Sequence, residues 1–276
     1  MKFYDKDNNR LVYFEKKFDK QNFWDEHWSI YKDLIGKFIL KSNPKSFICK
    51  IVTRFIKPGT GPILEGGCGM GNHVYSLQKI GYEVIGIDNA RNTINTIKKL
   101  NPEINVSYGD VRRLNYRDDF FVAYLSLGVV EHFFEGFTEI ALEMQRVIKS
   151  KGILFLTFPY MSPYRRFKAR SNLYKLLPNS GNIDTLSDYF YQYALDPDSV
   201  IKQFENIGFK LKYVLPYDGI KGLNDELFKF QIFSKAFTSL IYKTNKPEFI
   251  RKLKRLLDIT LIKFSAHMIL LVLQKE

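Results

Sequence analysis

The densest chemistry in the chain lies in Ile63-Leu64-Glu65-Gly66-Gly67-Cys68-Gly69-Met70-Gly71-Asn72. A short apolar stretch runs into closely spaced glycines, and a helical pattern follows. Glycine tolerates positive φ and lets a ligand lie against bare backbone. A helix start beyond it offers unpaired N–H groups. The spacing is not the G-x-G-x-x-G of a dinucleotide site. Counted from Gly67 the third glycine falls at Asn72, and counted from Gly69 it falls at Val74. The pattern present is Glu65-x-Gly67-x-Gly69-x-Gly71. A carboxylate two residues ahead of the first glycine suits a cationic group rather than a pyrophosphate. That argues against NAD and for a zwitterionic or cationic adenosine ligand.

Two further acids follow at strand ends. Val84-Ile85-Gly86-Ile87 leads to Asp88, placed to accept both hydroxyls of a ribose. Ser107-Tyr108-Gly109 leads to Asp110-Val111, where the carboxylate could take a hydrogen bond from an exocyclic amine such as adenine N6. Each acid alone also reads as a helix cap or a solvated loop charge. Three of them in register after a glycine loop carry more weight.

These residues resemble the class I S-adenosylmethionine-dependent methyltransferases, in particular the small-molecule type related to ubiquinone-biosynthesis enzymes. Glu65–Gly71 matches the family's E/D-x-G-x-G-x-G motif, Asp88 its ribose-binding acid and Gly109-Asp110-Val111 its adenine-binding segment. Ser126–Phe133 is similar to its fourth-strand segment, and Glu143–Phe158 to its fifth helix–strand unit, with Ile148-Lys149-Ser150-Lys151-Gly152 inside it. The likeness covers roughly residues 62–160 and resumes over 189–217.

The resemblance implies S-adenosylmethionine as cofactor and S-adenosylhomocysteine as product. It implies donor contacts from Glu65, Gly67, Cys68, Gly69, Gly71, Asp88, Asn89, Asp110, Val111 and Leu127. The methyl would leave a sulfonium in an in-line displacement, so alignment in a dry pocket is the main task. A general base is needed only when the acceptor must lose a proton. His132, just past the fourth strand, is the candidate for that base. Glu131 could orient a ring or receive the donor's amine. The alternative for the pair is to cap the next helix and shape the pocket.

The elements that must position these residues alternate. Apolar runs at 63–64, 84–87, 104–106, 120–127 and 153–158 are separated by helical patterns at 72–80, 90–100 and 137–149. Such alternation implies right-handed crossovers and a mostly parallel sheet covered on both faces. The expected fold is α/β: a Rossmann-like, doubly wound, seven-stranded sheet with a helical N-terminal segment and a helical insert before the last strand. Residues 1–60 read as a helical aromatic cap (Phe18, Phe23, Trp24, Trp28, Tyr31) and 61–223 as the donor-binding core. Within the core, 160–195 reads as a loop-like lid. Residues 224–264 read as two amphipathic helices divided at Asn245–Pro247, and 265–276 as the final strand.

The chain of 276 residues has 42 Lys+Arg against 29 Asp+Glu, a formal charge of +13. A field of that sign attracts nucleic acid, anionic lipid or acidic substrates, although AT-rich coding yields the same Lys, Asn, Ile, Phe and Tyr excess. Arg165-Arg166 could bind a carboxylate or phosphate. Arg251, Lys252, Lys254 and Arg255, beside Leu, Ile and Phe, could lie on an anionic membrane, or that insert could pack on the sheet or on a second copy in a homodimer. Two cysteines, Cys49 and Cys68, exclude a disulfide framework, and no His–carboxylate spacing points to a metal.

No signal-peptide order opens the chain and no apolar run reaches ~18 residues. A cytoplasmic protein is expected, with membrane contact at most peripheral. The acceptor is then a small molecule or a lipid-linked compound. Ser126-Leu127-Gly128-Val129 replaces the Asn/Asp-Pro-Pro-aromatic motif of base N-methylation. An RNA-modifying enzyme and a noncatalytic donor-binding module stand as alternatives.

Overall fold

The computed structural model describes residues 1–15, 23–29, 42–178, 187–227 and 248–276. The chain opens with a hairpin where the sequence suggests helix. Strands β1 (Lys2–Asp5) and β2 (Arg10–Phe14) pair antiparallel, Lys2 opposite Tyr13. The turn between them explains the difference. The Asp5 carboxylate accepts from the Asn8 amide at 3.2 Å and from Arg10 Nε at 2.8 Å, and Asn9 takes a φ of 48°, a conformation that Asn tolerates. Helices α1 (Phe23–Ser29) and α2 (Phe47–Phe55) follow. Phe18 and Tyr31 lie outside the described residues.

The main sheet contains β3 (Ile63–Gly66), β4 (Val84–Asp88), β5 (Val106–Tyr108), β6 (Phe121–Leu127) and β7 (Ile148–Pro159), all parallel. It also takes in β10 (Phe209–Tyr217) and β11 (Met268–Lys275), in the order β10-β11-β7-β6-β3-β4-β5. Only β11 opposes the rest: it is antiparallel to both its neighbours. Both faces are covered, which is why the central strands are apolar without alternation. Ile63 and Leu64 are each fully buried but belong to different clusters, one per face. On one face lie α2, α3 (Asn72–Gln78) and α4 (Arg91–Leu100), through Val52, Leu77, Ile94 and Ile97. On the other lie α5 (Thr138–Val147), through Ile140, Met144 and Val147, and α7 (Pro197–Glu205), through Val200 and Phe204.

The segment read as a loop-like lid is partly ordered into elements. Ser162 caps α6 (Pro163–Arg170), accepting from the Arg165 amide, with proline at the first helical position, a strong start signal. Strands β8 (Lys175–Leu176) and β9 (Phe190–Ala194) join the N-terminal hairpin in a second sheet of order β8-β1-β2-β9. A parallel bridge between Tyr160 and Leu195 fastens this sheet just beyond the carboxyl end of β7. Between β10 and β11 stand α8 (Gly219–Leu227) and α9 (Glu248–Ser265). The apolar positions 230–241 lie outside the described residues. No helix among the described residues is long and apolar enough to cross a membrane.

Candidate functional site

A cavity of about 630 Å³ opens at the carboxyl ends of the parallel strands, within the usual range for small-molecule sites. Its floor is the glycine loop. Gly67, Gly69 and Gly71 all take positive φ, at 75°, 50° and 70°. A Cβ on Gly67 would stand 2.4 Å from Val129 Cγ2, and one on Gly69 would stand 2.6 Å from Trp28 Cζ2. Any side chain would therefore collide as well as strain the backbone. Gly67 and Cys68 donate their amides to the Ile87 carbonyl at 2.7 and 3.0 Å, which ties the loop to β4.

The acids sit where β3, β4 and β5 end. Glu65 is buried, and its Oε2 has no hydrogen-bond partner among the described residues. Burial pushes its carboxyl up to about 8, countered in part by the Val74 amide. Asp88 is also buried, and burial raises its pKa. Its two oxygens accept from the Gly69 amide at 2.7 Å and the Ala90 amide at 2.9 Å, and each keeps a second lone pair. Asp110 is half-exposed. Burial raises its pKa, but Arg112 Nη2 at 2.7 Å and the Arg112 amide hold it below the usual range.

Beyond β6 the walls become aromatic. His132 lies in a short 3-10 turn over Val130–His132, edge-on to Trp24 of α1 at 4.8 Å. Its Nδ1 is 2.8 Å from the Tyr191 carbonyl, so Nδ1 carries the proton and Nε2 presents a lone pair. Burial lowers its pKa to about 4, and the ring is neutral at physiological pH. Glu131 beside it is buried, with Oε2 lacking a partner among the described residues, and burial lifts its carboxyl to about 8. Phe23, Phe133, Phe134, Phe190 and Tyr191 line the same end.

Residues 64–156 match the family model described as a methyltransferase domain. The matched segment runs from β3 into β7 and holds the glycine loop, Asp88, Asp110 and His132. Solved structures agree on the fold. A SAM-dependent methyltransferase from Archaeoglobus fulgidus superposes with a TM-score of 0.52 at 17% identity, covering 93% of this chain and 100% of that one. A TehB-like SAM-dependent methyltransferase from Corynebacterium glutamicum gives 0.52 at 14%, covering 92% and 98%. An S-adenosylmethionine-dependent methyltransferase from Mesorhizobium loti gives 0.50 at 13%, covering 82% and 97%. Among curated proteins none matches the chain.

The sheet shared with these neighbours is Rossmann-like, and the neighbours themselves depend on S-adenosylmethionine. The residues present fit S-adenosylmethionine: the unpartnered, buried carboxyl oxygen belongs to Glu65, which lines the cavity together with the positive-φ glycines Gly67 and Gly69. A cation settling beside Glu65 would restore the charge that burial suppresses.

The structure brings most of the sequence-derived residues together. Of the twelve, all but Gly71 line the cavity, as do His73, with its pKa lowered by burial to about 4, and Trp24 and Trp28. Gly71 turns away, and a Cβ there would meet Ile104 and Val106 under the loop. The arginine pair does not face an acceptor. Arg165 is fully buried with Nε 3.0 Å from Glu226, and Arg166 bonds Asp196 at 2.8 Å and Asp198 at 2.9 Å. The buried face of α6 takes in Arg165 beside Ala169 because Glu226 of α8 meets the guanidinium there. Sequence reasoning missed Ser187, Gln192 and His267 as lining residues. His267 stands immediately before the last strand, a position with no local motif to mark it.

Proposed function

We propose that the protein transfers a methyl group from S-adenosylmethionine to an O, N or C atom of a small-molecule or lipid-linked acceptor, as the small-molecule, ubiquinone-biosynthesis-like enzymes do, in the cytoplasm or at its membrane face. The observation that carries this reading is the unpartnered Glu65 oxygen beside the glycine cradle, in a cavity whose other end is aromatic. The bound donor supplies a methyl group on a sulfonium. Glu65 receives the cationic amine, Asp88 the ribose hydroxyls, and Asp110 with Val111 the adenine. Gly67 and Gly69 offer bare backbone, while Cys68, Asn89 and Leu127 flank it. Cys68 packs against Gly86, where a Cβ would stand 2.8 Å from its Sγ.

At the other end, His132 Nε2 takes the acceptor's proton when there is one to lose, and Glu131 shapes the wall beside it. The aromatic side chains exclude water, which strengthens every charge interaction inside. Calorimetry tests the donor assignment: S-adenosylmethionine should bind and NADPH should not, and Glu65→Gln should weaken the first. His132→Asn should leave donor affinity intact and lower S-adenosylhomocysteine release. Release with RNA alone would move the acceptor to nucleic acid, and no release with any acceptor would leave a donor-binding module.

A membrane-side acceptor is favoured by one observation on α9. Leu256, Leu257, Ile259 and Phe264 are exposed by 62, 47, 55 and 46%, interleaved with exposed Lys252, Arg255 and Lys263. Apolar residues among cations suit an anionic bilayer surface. Cosedimentation with phosphatidylserine vesicles at low salt should capture the protein. No capture, with a concentration-dependent dimer instead, would assign this face to a second copy.

A further inference from the structure

A second polar group reaches the cavity from the side of the sheet opposite the glycine loop. His267 leads into β11, whose first residue, Met268, pairs with Pro159 at the end of β7. In the sheet order, β11 lies three strands from β3, or about 14 Å at the usual strand spacing. The acids at the ends of β3, β4 and β5 are all on the far side of β6 from it. His267 is therefore placed to meet the acceptor, not the donor.

Its backbone is pinned. The His267 amide donates to the Asp218 carbonyl at 3.1 Å, and its carbonyl accepts from the Tyr160 amide at 3.3 Å. The ring is oriented from one side only. Nδ1 stands 2.8 Å from Asp225 Oδ2 and 3.2 Å from Arg165 Nη2. Arginine can only donate, and a carboxylate can only accept. Asp225 is ionised: burial raises its pKa, but the bond to His267 and the charges of Lys221 and Arg165 bring it to about 2. The shorter contact decides the tautomer, so Nδ1–H donates to Asp225. Nε2 then carries the lone pair. It has no hydrogen bond among the described residues, and the residue lines the cavity. Burial lowers the ring's pKa to about 4, and Lys221 and Arg165 oppose a second proton. The ring is therefore an acceptor throughout the physiological range. Phe134, Phe190 and Tyr191 furnish the flat apolar walls of the same cavity.

We propose that His267, held by Asp225, recognises the methyl acceptor by taking a hydrogen bond at Nε2 from an O–H or N–H group on a ring-bearing compound. This specificity role rests on the methyltransferase reading above, and it makes no use of His132. A site built to receive such a hydrogen discriminates against an analogue that lacks it, because the buried lone pair is then left unmatched.

The test uses the full chain saturated with S-adenosylhomocysteine and two ring probes, 2-naphthol and 2-methoxynaphthalene. They differ in the hydrogen under test. Calorimetry should show 2-naphthol binding about tenfold tighter, with the preference lost in His267→Phe. Nitrogen-15 histidine spectra of the unmutated protein read the same contact without relying on a variant that must fold. The Nε2 signal of the ring whose Nδ1–H is bonded to carboxylate should shift with 2-naphthol and stay still with the methyl ether. Equal binding of the two, a shift confined to His132, or binding of neither overturns the proposal. S-adenosylhomocysteine binding in the same samples is read separately, so failure of the donor reading is distinguishable from failure of this one.

Discussion

At the end of the cavity under β3 and β4 the chain presents backbone: Gly67 and Gly69 in left-handed conformations, with Asp88 bonding the loop to the start of the next helix. At the other end it presents side chains: Trp24, His132, Tyr191 and His267, brought from four distant stretches of sequence. The first end is fixed by local geometry and covalent neighbours. The second is fixed by tertiary contacts, chiefly a buried ionic cluster in which Glu226 is met by Arg165, Lys168 and Lys2 at 3.0, 2.8 and 2.8 Å. The difference predicts that the two ends fail differently when disturbed.

The largest effect should come from the ionic cluster. Arg165 also donates to the Tyr160 carbonyl at 2.9 Å and faces His267, so Arg165→Met removes the centre of the second end. Breaking a buried pair costs about 3–5 kcal/mol. Lys2 and Lys168 remain with Glu226, which puts the loss near the lower figure and the midpoint of thermal unfolding down by roughly 10 °C. Donor affinity of the folded protein should be unchanged. If that affinity fell as well, the ends would be one cooperative unit and the distinction would collapse.

Next comes the glycine loop, where the consequence is reversed. Gly69→Ala forces a side chain onto a φ of 50° and against Trp28. The left-handed conformation alone costs about 1–2 kcal/mol, so calorimetry should show donor binding weakened about five- to thirtyfold. Unfolding should move by only a few degrees.

These two regions also explain what could be read from the sequence. Glu65–Gly71 works through spacing along one stretch, and spacing survives in a linear string. Asp88 and Asp110 were legible because parallel strands end on the same side of the sheet. His267 was not, since its function depends on Asp225, forty-two residues earlier, and on Arg165 being drawn inside by Glu226. A run of basic residues looks alike in sequence whether solvated or buried. The N-terminal hairpin was missed for another reason: its strands have only four and five residues. The Asp7-Asn8-Asn9 turn was its signal, set against a strongly aromatic sequence that resembled a helical cap.

Proton linkage separates the ends by a smaller, graded effect. Glu65 and Glu131 both stay protonated in the fold up to about 8, whereas the unfolded chain ionises them from about 4.5. The unfolded chain therefore releases protons first. Stability contributed by each carboxyl is full below about 4.5, declines as pH rises, and levels above about 8. Thermal scans across that window should decline less steeply in Glu65→Gln and in Glu131→Gln alike. Only Glu65→Gln should also weaken donor binding. Equal losses of donor affinity in both variants would place Glu131 at the donor's amine instead.

The smallest effect tests the helix that touches both ends. Trp24 of α1 packs on His132, and Trp28 lies over Gly69. Between them Asp25 reaches α4, accepting from the Asn92 amide at 3.2 Å, the Thr93 amide at 2.9 Å and Thr93 Oγ1 at 3.1 Å. Helix α4 needs that carboxylate, because its own N-cap residue is Ala90, which has no side chain to cap with. A lost cap costs about 1 kcal/mol, equivalent to roughly fivefold in affinity if the hold of α1 on the cavity is what suffers. Asp25→Ala should therefore weaken donor binding about fivefold with little change in global unfolding. Asp25→Asn, whose amide oxygen caps equally well, should restore it. Were the two variants equally weak, charge rather than capping would be the link. Were both unaffected, α1 would be placed by its tryptophans alone, and the two ends would share a roof but no latch.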